Sequence, residues 1–363
     1  MYFFQSKFYE SASFIDTLFN GETEFSGANF DGKVDFLRAK FNFPVDFSDA
    51  TFGIEAYFSK TRFGAKAEFV GTRFNGRTYF FSSTFEDIGV FSRTQFADSA
   101  FFSLSPRQVT APRIMFENVL MDRPERIKFE NFNFGKTTFM GTNLRSITFH
   151  NPQWTHFSPW STWLNLSYQS ILGTRIVLND ETCGYLEKNP EALRILYRDL
   201  KANFEDAKDY SDAGDFYYSE MEIRRKILRI NESRIWRFFR RFLSPYTLYW
   251  LVCGYGERPL RALMVFIFLL FGFASIYSFS QRQFIYDAGT AGPAMVKYFK
   301  GPVDLNFRDS IEYSLRSLTL QHSEHIKPHS DDALARRLTL TENILGPLQL
   351  GLFFLAMRRR FRR

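Results

Sequence analysis

Phenylalanine recurs along the first 102 residues at alternating steps of five and six, so the hydrophobic pattern has a period of eleven. From the second phenylalanine onward, the position two residues earlier always holds Ala, Thr, Ser, Val or Gly, and polar residues fill most positions between. Phenylalanine stands at positions 3, 8, 14, 19, 25, 30, 36, 41, 47, 52, 58, 63, 69, 74, 80, 85, 91, 96 and 102. A pattern this regular predicts a structural repeat.

An eleven-residue period also suits an α-helical hendecad. At about 100° per residue, however, steps of five and six place successive phenylalanines on nearly opposite helix sides, which makes two narrow stripes. The Gly, Asn, Asp and β-branched residues in between favour turns and strands over helix. The pattern therefore predicts a β-solenoid, in which each Phe and its small partner point into a stacked core.

The stretch FSGANFDGKVDFLRAKF, residues 25–41, resembles the Phe-centred pentapeptide-repeat proteins. The resemblance covers about 105 residues and implies a right-handed quadrilateral β-helix with a phenylalanine core. After an insertion at 103–127, the register returns in strict fives. Its later positions are Phe129, Phe134, Phe139, Leu144 and Phe149. The solenoid domain is therefore predicted over 1–150.

Residues 151–189 are irregular and contain Trp154, Trp160 and Trp163, which predicts a cap and linker that closes the solenoid end. Residues 190–243 then predict an α-helical hairpin followed by a basic amphipathic connector. Asn189 and Pro190 form a helix start, and apolar residues follow at helical spacing. The hairpin is similar to a single tetratricopeptide-type unit. The segment YSDAGDFYYSEMEIRRK within it also resembles the one that joins repeats to membrane helices in pentapeptide-repeat membrane proteins.

The connector is rich in cations and aromatic residues and directly precedes a hydrophobic segment. Nucleic acid is one partner for such a surface, but a segment in this position favours anionic lipid headgroups. The predicted headgroup contacts are Arg224, Arg225, Lys226, Arg229, Arg234, Arg237, Arg240 and Arg241.

Two segments of the last region, 244–363, predict membrane spans. Residues 262–279 carry no charge and are long enough to cross a bilayer. Residues 340–357 are less apolar, because they include Glu342, Pro347 and Gln349, but they end in the arginine-rich tail RRRFRR. Glu342 is predicted either to face the bundle interior or to lie at the interface.

The positive-inside rule places the connector and the arginine tail in the cytoplasm. The sequence thus predicts a multi-pass protein of the bacterial inner (plasma) membrane, with both termini cytoplasmic and residues 280–338 as the outer loop. Membrane lipids are expected partners.

Residues 309–328, DSIEYSLRSLTLQHSEHIKP, are similar to the pore helix and filter of the two-transmembrane potassium channels, and residues 342–363 resemble the inner helix of that family. The resemblance implies a two-helix transmembrane module with a re-entrant pore helix, a homo-oligomer with a tetramer favoured, and Gly346 or Gly351 as gating hinge.

The filter itself departs from that family, because the positions of Val-Gly-Tyr-Gly-Asp hold Gln321, His322, Ser323, Glu324 and His325. Without glycines, coordination by backbone carbonyls alone is disfavoured. A pore at this loop, with Thr319 before it, is therefore expected to be lined by side chains, with Glu324 favouring cations and the histidines titrating near neutral pH. A zinc site from His322, His325 and His329, and a loop retained only for packing, stay open as alternatives.

Composition changes this picture little. Residues 1–105 carry ten Lys or Arg against thirteen Asp or Glu, so a DNA-mimicking surface has little support and no nucleic-acid partner is expected. No nucleophile, metal or phosphate motif points to an enzyme, and no cofactor is predicted. The sequence predicts a cation channel regulated by its cytoplasmic solenoid, which binds an unknown protein. The alternative is a non-conducting anchor that presents the solenoid as a docking surface.

Overall fold

The structure is a computed structural model that describes residues 1–105, 110–157, 175–230, 244–279, 283–286, 303–321, 326–328 and 332–361. The described residues before position 231 form one compact unit. Those from position 244 onward form a second. The two are called the solenoid unit and the helical unit below.

The solenoid unit is built from parallel strands, which stack every 22 residues in the first turns, as in the pairing of Lys7 with Asn29 and of Ala56 with Thr78. The spacing then changes, as in the pairing of Ile88 with Arg113 and of Lys128 with Thr148, so strands of the predicted insertion belong to the solenoid. The predicted β-solenoid is confirmed, and its strands form four columns. Thr78–Phe85 runs from the second column into the third. The first column consists of Lys7–Phe8, Asn29–Phe30, Thr51–Phe52, Arg73–Phe74, Gln95–Phe96 and Leu120–Met121, and the second of Ala12–Ser13, Val34–Asp35, Ala56–Tyr57, Thr78–Phe85, Ala100–Leu104, Ile127–Glu130 and Thr148–His150. The third column consists of Leu18–Phe19, Lys40–Phe41, Arg62–Phe63 and the end of Thr78–Phe85. The fourth consists of Thr23–Glu24, Val45–Asp46, Ala67–Glu68, Ile88–Val90, Arg113–Met115 and Thr137–Thr138.

Phenylalanine rings from successive turns stack on one another along the core. Phe25 and Phe47 have ring centroids 5.0 Å apart and nearly parallel planes, and Phe47 lies 5.1 Å from Phe69 in the same way. The small partners, such as Ala28 and Ala39, are fully buried beside them. Strand stacking sets this ring spacing, because neighbouring strands lie about 4.8 Å apart.

Every eleventh residue from Gln5 to Arg93 has a positive φ. This position lies within each five-residue step, two residues after a phenylalanine, and its backbone N–H donates to the next turn, as from Gln5 to Ser26 O at 2.9 Å. The hydrogen bond offsets the cost that a left-handed conformation carries for residues other than glycine. The positions are Gln5, Asp16, Gly27, Arg38, Asp49, Lys60, Gly71, Ser82 and Arg93.

Helices close the far end of the solenoid. Trp154 stacks on Phe134 with centroids 4.5 Å apart, and Phe204 stacks on Phe149 at 5.7 Å. Trp154 thus packs against the end of the core as the capping prediction requires, whereas Trp160 and Trp163 lie outside the described residues. A short antiparallel pair, His156–Phe157 with Arg175–Ile176, and a 3₁₀ turn at Pro124–Arg126 complete the unit's non-helical part.

Four helices follow in the solenoid unit: α1, Asn179–Thr182; α2, Tyr185–Lys188; α3, Pro190–Asp206; and α4, Tyr210–Ile230. Helices α3 and α4 form the predicted hairpin. Arg194 pairs with Glu220 near one end and Phe204 packs on Phe216 near the other, so the helices are antiparallel. The predicted N-cap is also present, since Asn189 Oδ1 accepts from Ala192 N at 3.1 Å.

The helical unit contains α5, Pro245–Cys253; a 3₁₀ turn, Gly254–Gly256; α6, Pro259–Phe279; α7, Phe307–Leu318; and α8, Ala333–Arg360. A small antiparallel sheet joins Gln283–Tyr286 to Val303–Asp304 and to Ile326–Pro328. Helices α6 and α8 are long and apolar enough to cross a membrane and contain the two predicted spans. Helix α8 begins at Ala333 rather than at 340.

Candidate functional site

Helix α7 packs against both α6 and α8. The contact between these three helices is the candidate functional site of the helical unit. Asp309 in its first turn and Arg316 in its last complement the helix dipole, and Arg316 also pairs with Glu312 at 2.8 Å. Its buried residues repeat at helical spacing and are mostly small and polar. They are Ser310, Tyr313, Ser314, Ser317 and Leu318. The helix therefore presents hydroxyl groups, rather than a purely apolar stripe, to its neighbours.

The carboxyl group of Glu342 lies at the centre of this contact and is completely buried. Tyr277 on α6 donates its hydroxyl to Glu342 Oε2 at 2.8 Å. Ser314 on α7 donates to Oε1, and its Oγ also lies 3.3 Å from the carbonyl oxygen of Leu270. The Glu342 network, defined as Tyr277, Ser314 and Glu342, thus ties all three helices together. Glu342 faces the interior, one of the two positions expected from the sequence.

Two further polar contacts extend this arrangement along α7 and α8. The hydroxyls of Tyr313 and Thr339 lie 2.8 Å apart, and Ser317 Oγ donates to Asn343 Oδ1 at 2.9 Å. Because the partners advance by about four residues on each helix, one face of α7 follows one face of α8. Such polar interhelical contacts in an apolar bundle fix both rotation and register.

Gly346 allows α8 to approach the end of α7. A Cβ at this position would lie 2.1 Å from the carbonyl oxygen of Leu318, a distance that backbone atoms cannot tolerate. Gly351 differs, since nothing lies within 4 Å of its Cβ position. The structure thus gives Gly346 a packing role, and the gating-hinge role of either glycine stays a prediction.

The pore-loop candidates are only partly described. Thr319 Oγ1 donates to Leu315 O at 2.8 Å, so this hydroxyl is engaged by its own helix, and Gln321 is exposed. His322, Ser323, Glu324 and His325 lie outside the described residues, as does His329. A cavity of about 250 Å³ lies beside this loop. It is lined by Tyr313, Ser317, Leu320, Gln321, Ile326, Lys327, Pro328, Thr339 and Asn343.

The predicted lipid contacts that are described form ion pairs within the solenoid unit. Arg225 pairs with Glu222 at 2.7 Å, Lys226 with Glu181 at 2.6 Å, and Arg224 with Glu220 at 3.8 Å. These pairs compensate the three cations, so the lipid prediction rests mainly on the others. The side chain of Arg229 and all of Arg234, Arg237, Arg240 and Arg241 lie outside the described residues.

Helices α5 and α6 are both hydrogen-bonded to α8 near the turn that joins them, which the sequence pattern did not predict. Gln349 in α8 donates its amide to the carbonyl oxygens of Ala262 at 2.6 Å and Val252 at 3.3 Å. Gly254, Tyr255 and Gly256 all have positive φ. The glycines on either side of Tyr255 are the sequence signal for this turn, because glycine adopts a positive φ at little cost.

Two neighbouring carboxyl groups at the closed end of the solenoid have opposite character. Asp180 is completely buried and accepts the backbone N–H of Phe139 at 2.9 Å, and its burial raises its pKa to about 7. Burial acts in the same direction on Glu181. There, however, hydrogen bonds from Arg175 and Lys226 outweigh it and lower the pKa of Glu181 to about 2. Asp180 thus closes a strand edge, whereas Glu181 joins α4 to the strand Arg175–Ile176.

Residues 3–51 and 25–65 match the family model described as Pentapeptide repeats (9 copies). No curated protein matches the chain. The matched stretches lie in the stacked phenylalanine turns, where strand pairing shows the same repeat. The first part of this chain is therefore a pentapeptide-repeat β-solenoid.

Proposed function

We propose that this protein is an oligomeric, cation-conducting membrane channel whose opening is regulated by the cytoplasmic pentapeptide-repeat solenoid. In this proposal α6 and α8 span the membrane, and α7 is a re-entrant pore helix that aims the loop after it toward a central axis. Four copies place four such loops around one pore, which is why a tetramer is proposed.

The supporting observation is the exposed face of α8. Along it, exposed residues repeat at alternating steps of four and three. A 3.5-residue period is typical of a helix that packs along the same helix of another copy. Gly351 in this stripe leaves room for close approach, as small residues do in membrane helix pairs. The stripe consists of Arg337, Thr341, Ile344, Leu348, Gly351, Leu355 and Arg358.

The buried Glu342 network supports the same proposal from the opposite face of α8. Polar groups inside a membrane bundle are costly unless they hydrogen-bond to one another. Here they hold α7 in a defined register against α6 and α8. A short helix fixed in this way positions its following loop, which is what a pore loop requires.

The sign of the conducted ion depends on two opposing sets of charges. In a parallel bundle, Glu324 forms a carboxylate ring that favours cations. Arg337 and Arg358 lie at the two ends of the α8 stripe and favour anions. We propose that the carboxylates of Glu324 outweigh these arginines, so that cations pass.

Ion flux through the full-length protein in liposomes tests this function. Potassium, sodium and chloride are compared for the unaltered chain, for Glu324→Ala and for Glu125→Ala, which removes the same charge from the exposed solenoid surface. Cation flux that falls only in Glu324→Ala supports the proposal. Chloride flux contradicts the cation assignment, and an absence of flux from inserted, folded protein contradicts the channel.

A second candidate function is a non-conducting anchor that presents the solenoid to a protein partner. One observation favours it: a groove of about 700 Å³ on the outer solenoid surface, bordered by Tyr79 and the half-exposed Phe81. Such an aromatic surface suits a docking site. Mass measurement in nanodiscs separates the two candidates, since a tetramer supports the channel and a monomer or dimer favours the anchor.

A further inference from the structure

Helix α5 is a nine-residue helix, Pro245–Cys253, without a single charged residue. At 1.5 Å per residue it is about 14 Å long, less than half of a hydrocarbon core of about 30 Å. It therefore cannot be a third span. Its sequence, PYTLYWLVC, is also too apolar for a helix that water surrounds.

The two sides of α5 differ in what they contact. Its inner side holds the buried Cys253 and the half-buried Tyr249, whose ring packs on that of Tyr255 with centroids 5.8 Å apart. Its outer side exposes Leu248 and Leu251, which are 45% and 54% accessible. The outer side of α5 therefore exposes leucine side chains, whereas its inner side packs an aromatic ring against Tyr255.

The position of α5 relative to α6 is fixed by contacts at the start of the proposed span. Arg261, in the first turn of α6, donates to the carbonyl oxygen of Trp250 at 3.0 Å. Its guanidinium also lies 4.8 Å from the centroid of the Trp250 ring. A cation and an indole held together at the end of an apolar span are the groups that favour the membrane–water interface.

We propose that α5 lies in the cytoplasmic membrane–water interface and buries Leu248 and Leu251 among the lipid acyl chains. The inference rests on the proposed function, because α6 must span the bilayer for α5 to reach it. The argument for lipid is continuity: α5 joins α6 through the three-residue turn Gly254–Gly256, so the surface nearest to its leucines is the one that α6 enters.

The position of α5 also affects α8. The carbonyl oxygen of Val252, in α5, accepts from Gln349, and a Cβ on Gly256 would lie 3.2 Å from Leu355. A helix held at the bilayer surface therefore also holds the cytoplasmic half of α8.

Site-directed spin labelling tests the position of α5. Nitroxides are attached to Leu248→Cys and Leu251→Cys in full-length protein that also carries Cys183→Ser and Cys253→Ala. The protein is reconstituted in liposomes of phosphatidylcholine and phosphatidylglycerol. Collision rates with oxygen, which enters the acyl region, and with a nickel chelate, which stays in water, report depth. Reference labels are Phe268→Cys, at an exposed position in the middle of α6, and Leu120→Cys, at an exposed position on the solenoid.

The expected oxygen-to-nickel ratio for both α5 labels lies several-fold above that of Leu120→Cys and below that of Phe268→Cys. A ratio equal to that of Leu120→Cys places α5 in water and overturns the proposal, and a ratio equal to that of Phe268→Cys makes α5 part of a span. Low collision rates with both reagents show that protein covers the leucines, which also overturns it. If Phe268→Cys itself reads as aqueous, the membrane proposal fails, and that result is distinct from a failure of α5 alone.

Discussion

The solenoid unit and the helical unit are stabilised in different ways. In the solenoid, the same contact recurs: Phe25 on Phe47, Phe47 on Phe69 and Phe69 on Phe91, each within about 5 Å. In the helical unit, the Glu342 network, the pair of Ser317 with Asn343 and the contact of Gly346 with Leu318 each occur once. Repeated ring stacking therefore stabilises the solenoid, whereas contacts that each occur once determine how the helices of the helical unit pack.

This difference has a consequence for function. A repeated core tolerates variation in its outer residues, because each turn needs only Phe, a small partner and a corner. The three helices around Glu342 have no such redundancy, so a change there alters the position of α7. The solenoid is thus suited to display a surface, and the helical unit to hold a site.

The largest expected effect comes from opening the repeated core. Phe47→Ala removes a completely buried ring that stacks on both neighbours, and we expect a loss of about 3–5 kcal/mol in the free energy of unfolding of the solenoid. Amide hydrogen exchange of the strands in residues 25–75 measures it. The matched control Phe81→Ala, at a half-exposed position, should change exchange little. Equal effects would show that the stacked core does not dominate stability.

The next effect depends on pH and concerns Asp180. Its folded-state pKa is raised from 3.8 to about 7, so its contribution to stability is fully present below about pH 4 and is lost as pH rises through 7. The contribution of Asp180 to the free energy of unfolding is at most roughly 4 kcal/mol. Asp180→Asn should remove this slope, as measured by hydrogen exchange of residues 137–142 between pH 4 and 8. The control Asp206→Asn, at an exposed position, should retain the slope; an unchanged slope in Asp180→Asn contradicts the assignment.

A smaller effect distinguishes the two glycines of α8. Gly346→Ala forces α8 away from Leu318, and we expect a cost near the upper end of about 1–3 kcal/mol for the α7–α8 contact. Gly351→Ala meets open space and should be neutral or slightly stabilising in the monomer. Hydrogen exchange of α7 in nanodiscs compares them. If both variants behave alike, the close approach of Gly346 to α7 is wrong.

The smallest effect tests the uniqueness of the Glu342 network. Glu342→Gln keeps an acceptor for one of the two hydroxyls and should cost about 1 kcal/mol, less than Glu342→Ala, which leaves both Tyr277 and Ser314 without their partner. The midpoint temperatures of thermal unfolding in nanodiscs rank the stabilities of the two variants. An alanine variant as stable as the wild type would mean that the network does not hold α7.

The elements with a repeating or continuous pattern were predicted from the sequence. The eleven-residue phenylalanine period specified a stacked core because the chain returns to the same column every 22 residues. Helical spacing after Asn189 and Pro190 specified α3, and uninterrupted apolar residues specified α6. In each case the signal lies within one segment, and no distant contact is needed to read it.

Tertiary structure alone decided the contacts that join distant segments. The corner at every eleventh residue holds Gln, Asp, Gly, Arg, Lys or Ser, so residue type gives no signal, and the hydrogen bond to the next turn selects its conformation. Tyr277 and Glu342 are 65 residues apart, and only helix packing brings their oxygens together. Likewise, Gly346 and Gly351 look alike along the chain, and they differ because the backbone of α7 lies against one and not the other. Local pattern determines which elements form, because each element buries its own apolar face; the packing of those elements determines which polar groups meet.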